Sequence, residues 1–449
     1  MKRKQMMKGV LATLLAAAFL LSGCGNQTPA PAESSAAGDT QQTEKAVAAE
    51  NTAGGEIVLN VAMWDYTSLD YHSKLVAAFE AANPGVRVNV IEAPADDYSD
   101  KVSVMLAGDN DVDVVFIRDT ASYTSMISKE QLMPIDELIA EHQIDLSVYG
   151  GMVEQYGVDG KIYGLPYRKD IWMLFYNKDI FDAAGLPYPT ERMSLEEYRE
   201  LAVQLTSGEG NEKVYGALNN KWTQSVSNLA MQTGSYDLLS GDYDFLKPYY
   251  QTIFDMQSED KTTMEYSTII ASNIHYSGPF YNGQVAMMPM GSWFINNMIE
   301  NLRSGTTTVN YDVAPLPGET AAGMDGKGTG AITPVSIGAN SKNKDMAWEF
   351  VQFVTGEEGA KVLAACGILP AYNSELVLET LVSNEGFPEH GKELLLNTVD
   401  VTIEFPLGNT WTAISRIIGE EHELIMLGSN SVEEGLETMK KRVQDEVLN

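Results

Sequence analysis

The chain has 449 residues, of which 62 are acidic and 30 are basic, so its formal net charge is −32. Hydrophobic residues make up 44% of it and charged residues 20%, which predicts a folded protein long enough for two or three domains. So acidic a chain is unsuited to nucleic acid, because binding phosphate backbones needs a basic surface. Two cysteines rule out a disulfide-rich scaffold, and five histidines leave little material for a histidine-built metal site.

Residues 1–23 have the features of a signal peptide. Four basic residues lie within the first eight, and an apolar run of twelve residues follows at 10–21. This run is shorter than the roughly 20 residues of a membrane-spanning helix and typical of a signal core. Positions 21–24 read Leu-Ser-Gly-Cys, which resembles the lipobox of bacterial lipoproteins and implies lipidation of Cys24 after cleavage. The alternatives are an uncleaved anchor or an ordinary secretory signal.

Residues 24–55 are predicted to form a lipidated, disordered tether. The segment is rich in Ala, Thr, Ser, Gln and Gly, and no aromatic residue occurs between Phe19 and Trp64. Such a composition cannot bury enough apolar surface to offset the entropy of ordering. We therefore expect a protein anchored through Cys24 on the outer, extracellular face of the bacterial cytoplasmic membrane.

The pattern after residue 56 predicts an α/β fold. Residues 57–64 and 112–117 are near-continuous apolar runs, as expected for strands buried on both faces, and valines alternate with polar residues over 86–90. Apolar residues within 75–79 and 102–106 recur at helical spacing. Strand, helix, strand, helix, strand is typical of a parallel sheet with right-handed crossovers.

Ligands of such sheets bind beyond the carboxyl ends of the strands. Trp64 and Asp65 follow the first strand, and Arg118 and Asp119 follow the third. An aromatic ring with polar groups beside it suits ligand binding. The alternative is that Trp64 covers the core while the two aspartates cap the following helices.

Four blocks of sequence then follow in order: 75–117, 160–205, 280–298 (FYNGQVAMMPMGSWFINNM) and 331–363. Together they resemble the maltose-binding-protein-like family, the carbohydrate-type solute-binding proteins of bacterial ABC importers. The resemblance covers essentially all of residues 56–449.

This resemblance implies an α/β, two-lobed periplasmic-binding-protein-like fold, in which each lobe is a mostly parallel sheet flanked by helices. Three hinge crossings are expected near 167–171, 315–320 and 369–373, and late helices such as 432–447 end the chain. The N-terminal lobe would comprise 56–168 plus 319–370, and the C-terminal lobe 169–318 plus 371–449.

Sugars present hydroxyls around apolar C–H faces, so their sites need flat aromatic platforms and planar hydrogen-bonding groups. The aromatic candidates, each of which could instead be core, are Trp64, Trp222, Trp293 and Trp411. The polar candidates, each of which could instead form a surface ion pair or a cap, are Asp65, Arg118, Asp119, Tyr167, Arg168 and Asp170. Trp172 and Trp348 are predicted to be structural.

The sequence contains no complete motif for a calcium loop, a phosphate loop or a serine hydrolase. The segment 109–120 lacks the glycine and final glutamate of a calcium loop, 323–330 lacks the spacing of a phosphate loop, and no G-x-S-x-G occurs. We therefore expect no catalytic residue, no metal and no cofactor. The predicted protein is a monomeric sugar or oligosaccharide receptor that serves an ABC permease. A secreted polysaccharide hydrolase and a ligand-sensing lipoprotein are the alternatives.

Overall fold

The computed structural model describes residues 56–108, 111–189, 191–322 and 325–449. The predicted signal peptide, the tether and the proposed lipid attachment site Cys24 lie outside these residues. No helix in the described ranges is long and apolar enough to cross a membrane.

The described residues form nine strands: β1 (Ile57–Trp64), β2 (Val86–Ala93), β3 (Val114–Phe116), β4 (Gly164–Asn177), β5 (Tyr215–Ala217), β6 (Val285–Gly291), β7 (Tyr311–Ala314), β8 (Lys327–Ile337) and β9 (Asp400–Ile403).

The α-helices of the first half of the chain are α1 (Asp70–Ala82), α2 (Ala95–Ala107), α3 (Thr120–Ser128), α4 (Asp136–Glu141), α5 (Met152–Gln155), α6 (Lys178–Ala184) and α7 (Leu195–Leu205). Those of the middle are α8 (Gln224–Met231), α9 (Lys247–Ser258), α10 (Tyr266–Ala271), α11 (Ser277–Tyr281) and α12 (Trp293–Ser304). The last are α13 (Lys344–Thr355), α14 (Glu357–Ala365), α15 (Glu375–Val382), α16 (Gly391–Asn397), α17 (Trp411–Met426) and α18 (Val432–Val443).

The first part of the body has the predicted α/β order. Strand β1 pairs in parallel with β2 over its whole length and with β3 on its other side. Helix α1 buries the apolar face that its periodicity predicted, including Leu75 and Phe79. Residues 61–64 of β1 are all buried, and the carboxyl end of the strand lies at Trp64.

Strand β4 passes from one hydrophobic core to another. The first half of β4 pairs antiparallel with β8, and its second half pairs antiparallel with β6 and β7. Tyr167 belongs to the first core, which also contains Phe116 and Trp348, whereas Trp172 belongs to the second. The short stretch of β4 between these two residues therefore joins the cores.

The sheet is mixed, with strand order β2-β1-β3-β8-β4-β6-β5, and β7 and β9 lie off this path. The expected parallel pairing holds for β1, β2 and β3, but β8 runs antiparallel to both β3 and β4. The reason is geometric, since a strand that returns from the second core enters the first from the opposite direction.

The returning strand starts at Lys327, later than the expected crossing at 315–320. Leu316 is instead buried in the second core, and Gly318 pairs with Ser194 there. The glycines and threonines at the start of β8 leave no apolar run by which the sequence could have located it.

The segment expected as a third crossing lies beside the first. Pro370 forms a bridge with Arg168, the Lys169 amide donates to the Leu369 carbonyl at 3.2 Å, and the Ala371 amide donates to the Tyr167 carbonyl at 3.2 Å. Three stretches of chain thus run side by side between the cores.

Candidate functional site

The candidate site begins with one face of β4. Side chains alternate along a strand, so Arg168, Asp170 and Trp172 share a face that we call the cleft face. The Arg168 guanidinium lies 5.9 Å from the centre of the Trp64 ring, and its Nη2 lies 3.7 Å from Asp170 Oδ2. Ser292 Oγ, on the second core, donates to Asp170 Oδ1 at 3.3 Å. The cleft face therefore links polar and aromatic groups of both cores.

Arg168 is held in place by groups of the first core. Its Nε donates to Thr333 Oγ1 at 3.1 Å, and its Nη1 donates to the Tyr71 hydroxyl at 3.4 Å. Only 18% of its side chain is exposed. Burial raises the pKa of Asp170, and the neighbouring guanidinium partly opposes that rise. The pair presents a fixed donor and a fixed acceptor at the junction of the cores.

Four rings form an aromatic cluster where the second core meets a neighbouring apolar cluster that contains Tyr276: Trp172, Trp222, Tyr276 and Trp293. The Trp172 and Trp293 rings meet edge to face at 5.5 Å, and Trp222 lies 5.4 Å from Tyr276 and 6.4 Å from Trp293. Trp293 Nε1 donates to the Tyr276 hydroxyl at 3.2 Å. Trp222 and Trp293 are partly exposed, so this cluster keeps aromatic surface available to a ligand.

Gly291 makes the position of Trp293 possible. A Cβ atom at Gly291 would overlap the indole ring of Trp293, so the ring occupies space that any other residue would fill. The Gly-Ser-Trp sequence at 291–293 thus sets both the strand end and the ring.

Glu404 completes the site and was missed by the sequence interpretation. Its Oε2 accepts hydrogen bonds from Trp172 Nε1 at 2.6 Å and Asn228 Nδ2 at 2.8 Å. Burial raises the pKa of this carboxyl to about 7, the two hydrogen bonds lower it, and Asp170 raises it further. Glu404 directly follows β9, so the criterion that selected Asp65 could have found it.

Three buried asparagines of the second lobe have side-chain atoms that lack hydrogen-bond partners among the described residues. The unpartnered atoms are Oδ1 and Nδ2 of Asn219, Nδ2 of Asn220 and Oδ1 of Asn228. Asn219 and Asn220 follow β5, where ligand-binding groups of α/β sheets are found. A buried amide left without partners costs about 1–3 kcal/mol, so these atoms are suited to accept a ligand or ordered water.

Three of the predicted polar residues have structural partners instead. Asp65 Oδ1 accepts from the Ala95 amide at 3.1 Å, at the start of α2. Asp119 caps α3 by accepting from the Ser122 amide at 2.7 Å. Tyr167 is completely buried, with its hydroxyl 3.2 Å from Nε2 of His72. Asp119 thus caps the following helix as the alternative has it, whereas Asp65 bonds the start of α2 and not of α1, and Tyr167 is a core residue. Ligand contact by these three residues stays a prediction.

The remaining candidates are Arg118 and the tryptophans, some of which are exposed and some buried. Arg118 is exposed beyond β3. Trp411 is buried in the second core, 5.8 Å from Phe405, and Trp64 is buried against His72 at 5.3 Å. Trp172 and Trp348 are buried as predicted. The structure therefore brings together Trp64, Arg168, Asp170, Trp222 and Trp293, and keeps Asp65, Asp119, Tyr167 and Trp411 in local structural roles.

Comparisons with known proteins agree with this architecture. The family model described as bacterial extracellular solute-binding protein matches residues 67–361. A crystal structure of a sugar transporter from Rhizobium etli, in an open conformation, is 35% identical, with a TM-score of 0.78 over 86% of this chain and 99% of that chain.

Two further relatives are more distant. An ABC substrate-binding protein from Listeria monocytogenes in complex with cycloalternan is 20% identical, with a TM-score of 0.72 over 87% of this chain and 99% of that one. The arabinooligosaccharide-binding protein of Bacillus subtilis is 23% identical over 70% of this chain and 73% of the relative.

The predicted two-lobed α/β fold is confirmed by these likenesses. We refer to the parts of the chain around the first and second cores as the first and second lobes. The family match spans well over half of the chain. This protein belongs to the bacterial extracellular solute-binding proteins.

Proposed function

We propose that this protein is a lipid-anchored receptor that captures a sugar or short oligosaccharide between its lobes and delivers it to an ABC permease. The observation that carries the proposal is the aromatic cluster beside three asparagines with unpartnered buried atoms. Rings can stack on the apolar C–H faces of a sugar, and the amides can bond its hydroxyls. The family to which this chain belongs consists of solute-binding proteins, so the ligand is released chemically unchanged.

The mechanism is hinge closure about β4 and β8. Arg168 touches first-lobe groups, whereas Asp170 accepts a bond from Ser292 of the second lobe. A ligand that touches both sides binds the closed state better than the open one and shifts the population towards it. The closed form is the one that docks on the permease.

The named relatives support the ligand class. They include a sugar transporter, a cycloalternan complex and an arabinooligosaccharide-binding protein. Their ligands share ring hydroxyls and C–H faces, which are the groups that the aromatic cluster and the asparagines can recognise.

Thermal unfolding in the presence of a carbohydrate panel tests this function. A ligand at 100 times its Kd stabilises the folded state by about 2.7 kcal/mol, which is a clear rise in Tm. We expect a response to at least one mono- or oligosaccharide. A response only to peptides, polyamines or metal ions would contradict the carbohydrate assignment.

The lipid anchor is proposed from the sequence at 21–24, and it would hold the receptor on the extracellular side of the membrane. We further propose that the receptor is a monomer. Fractionation of expressing cells tests it. The natural chain should sediment with membranes, and Cys24→Ala should lose that association. An unchanged membrane fraction in Cys24→Ala would exclude the thiol as the attachment point.

A further inference from the structure

A cavity lies on the face of β4 opposite the cleft face. Lys169 and Ile171, which alternate with the cleft residues, both line it, and its volume is about 660 Å³. Ligand pockets usually have volumes of about 300–1,000 Å³. The wall comes from the ends of α5, from β4, the segment 369–373, α15, α16 and β9, so the space is surrounded by several separate elements. We call it the back cavity.

The wall of the back cavity is mainly apolar. Its aliphatic side chains include Leu369, Val377, Leu381, Leu395 and Val401. Apolar residues also extend to its edge, where Val399 is 74% and Leu396 is 55% exposed. Large aliphatic side chains left in contact with water beside a cavity indicate a surface that an apolar molecule covers.

One cation lacks a matching anion there. Lys169 Nζ donates to Asn373 Oδ1 at 2.6 Å, and burial lowers the pKa of this lysine to about 8. No carboxylate of the described ranges forms an ion pair with it. The other lining lysine, Lys392, is paired with Glu379. Glu375 also lines the cavity, but it forms no ion pair with Lys169 among the described residues.

We propose that the back cavity binds an amphipathic carboxylic acid, with its carboxylate on Lys169 and its alkyl chain against the aliphatic wall. A charge-assisted hydrogen bond supplies the polar anchor, and burial of methylene groups supplies the rest. A neutral sugar would meet aliphatic surface where its hydroxyls need partners, so the two faces of β4 select different ligand classes. This site goes beyond the proposed sugar function and does not depend on it.

Calorimetric titration with decanoate, below its micelle concentration, tests the proposal on the full folded body. We expect saturable binding of one decanoate. Loss of a charged hydrogen bond weakens binding about tenfold or more, so Lys169→Met and uncharged decanol should both show at least that loss. Val399→Asp, at an exposed position, should also weaken binding by placing a charge beside the chain.

Trp293→Ala serves as the control, because it alters the aromatic cluster and should leave decanoate binding unchanged. Absence of saturable binding would overturn the proposal, and so would a decanoate affinity in Lys169→Met and Val399→Asp that equals that of the natural protein. Loss of decanoate binding in Trp293→Ala would place the acid in the cleft and would overturn it as well. A protein that binds decanoate but no sugar would refute the proposed receptor function alone, so the two failures are distinguishable.

Discussion

The two sides of the cleft are built differently. On the first-lobe side, Asp65 and Asp119 are occupied by backbone amides at the starts of α2 and α3. On the second-lobe side, Asn219 and Asn228 keep polar atoms without protein partners, and Trp293 keeps part of its ring exposed. The two aspartates of the first side are therefore satisfied by the fold, whereas the two asparagines of the second side have amide atoms without partners. Most of the ligand recognition should lie on the second lobe.

The largest expected effect is on the free energy of unfolding, and it comes from the buried carboxyl of Glu404 on the second-lobe side of the cleft. Because burial raises the pKa of Glu404 from its ordinary value of 4.5 to about 7, the folded state retains a proton that the unfolded chain has released. The free energy of unfolding should therefore fall as the pH rises from about 4.5 to about 7, by as much as about 3 kcal/mol. Glu404→Gln should remove that fall, since one amide oxygen can accept both existing hydrogen bonds.

Denaturant unfolding of both proteins at pH 5 and pH 8 measures this difference. Glu434→Gln is the matched control, because two bonds from Ser431 lower the pKa of Glu434 and its titration lies below this range. An identical pH dependence in the natural protein and Glu404→Gln would show that the buried carboxyl stays charged.

The next effect is on binding. Trp293→Ala removes a platform from the aromatic cluster and should weaken sugar binding by about 2 kcal/mol, or roughly 30-fold. Gly291→Ala should act in the same direction, since its methyl group would displace the ring. Gly278→Ala is its control, because a Cβ there meets nothing within 4 Å. Titration with the sugar found by thermal screening measures all three, and unchanged affinity in Trp293→Ala would remove the stacking model.

A sharper comparison comes from the asparagines. Asn219→Ala should weaken sugar binding by about 1 kcal/mol, roughly fivefold, and leave the free energy of unfolding unchanged or higher, because its amide has no protein partner to lose. Asn384→Ala should do the opposite, since its Nδ2 donates to the carbonyls of Ala364 and Leu381 at 2.8 Å. A loss of stability in Asn219→Ala without any loss of affinity would show that this amide is structural.

The smallest effect tests the first-lobe side. Asp119→Ala removes the cap of α3 and should lower the free energy of unfolding by about 1 kcal/mol. Sugar affinity should change less than twofold, because the carboxylate is already used by the Ser122 amide and by Ser99. A tenfold loss of affinity at unchanged stability would reverse the comparison between the lobes.

Local pattern was enough to predict β1, α1 and β2, because each depends on periodicity within a few residues. Ligand contact by Trp222 and Trp293 stays a prediction. The helix predicted at 432–447 is α18 as far as Val443, and a π-helical turn follows at 444–448. The start of β8 could not be predicted, since its glycine-rich beginning has no apolar run.

The partners of polar residues were harder to predict. A carboxylate after a strand can cap the next helix, as Asp119 does, or enter a buried network, as Glu404 does. The sequence does not distinguish these outcomes, because Glu404 accepts its hydrogen bonds from Trp172 and Asn228, which both lie more than 170 residues earlier in the chain.

Strand β4 has one further consequence. Arg168 and Lys169 are adjacent residues whose side chains leave the strand on opposite faces, so a twist that moves one of them must move the other. If closure twists β4, occupancy of the two faces is thermodynamically linked. If an acid in the back cavity changes the affinity for sugar by some factor, sugar changes the affinity for the acid by that same factor, whichever of the two arrives first.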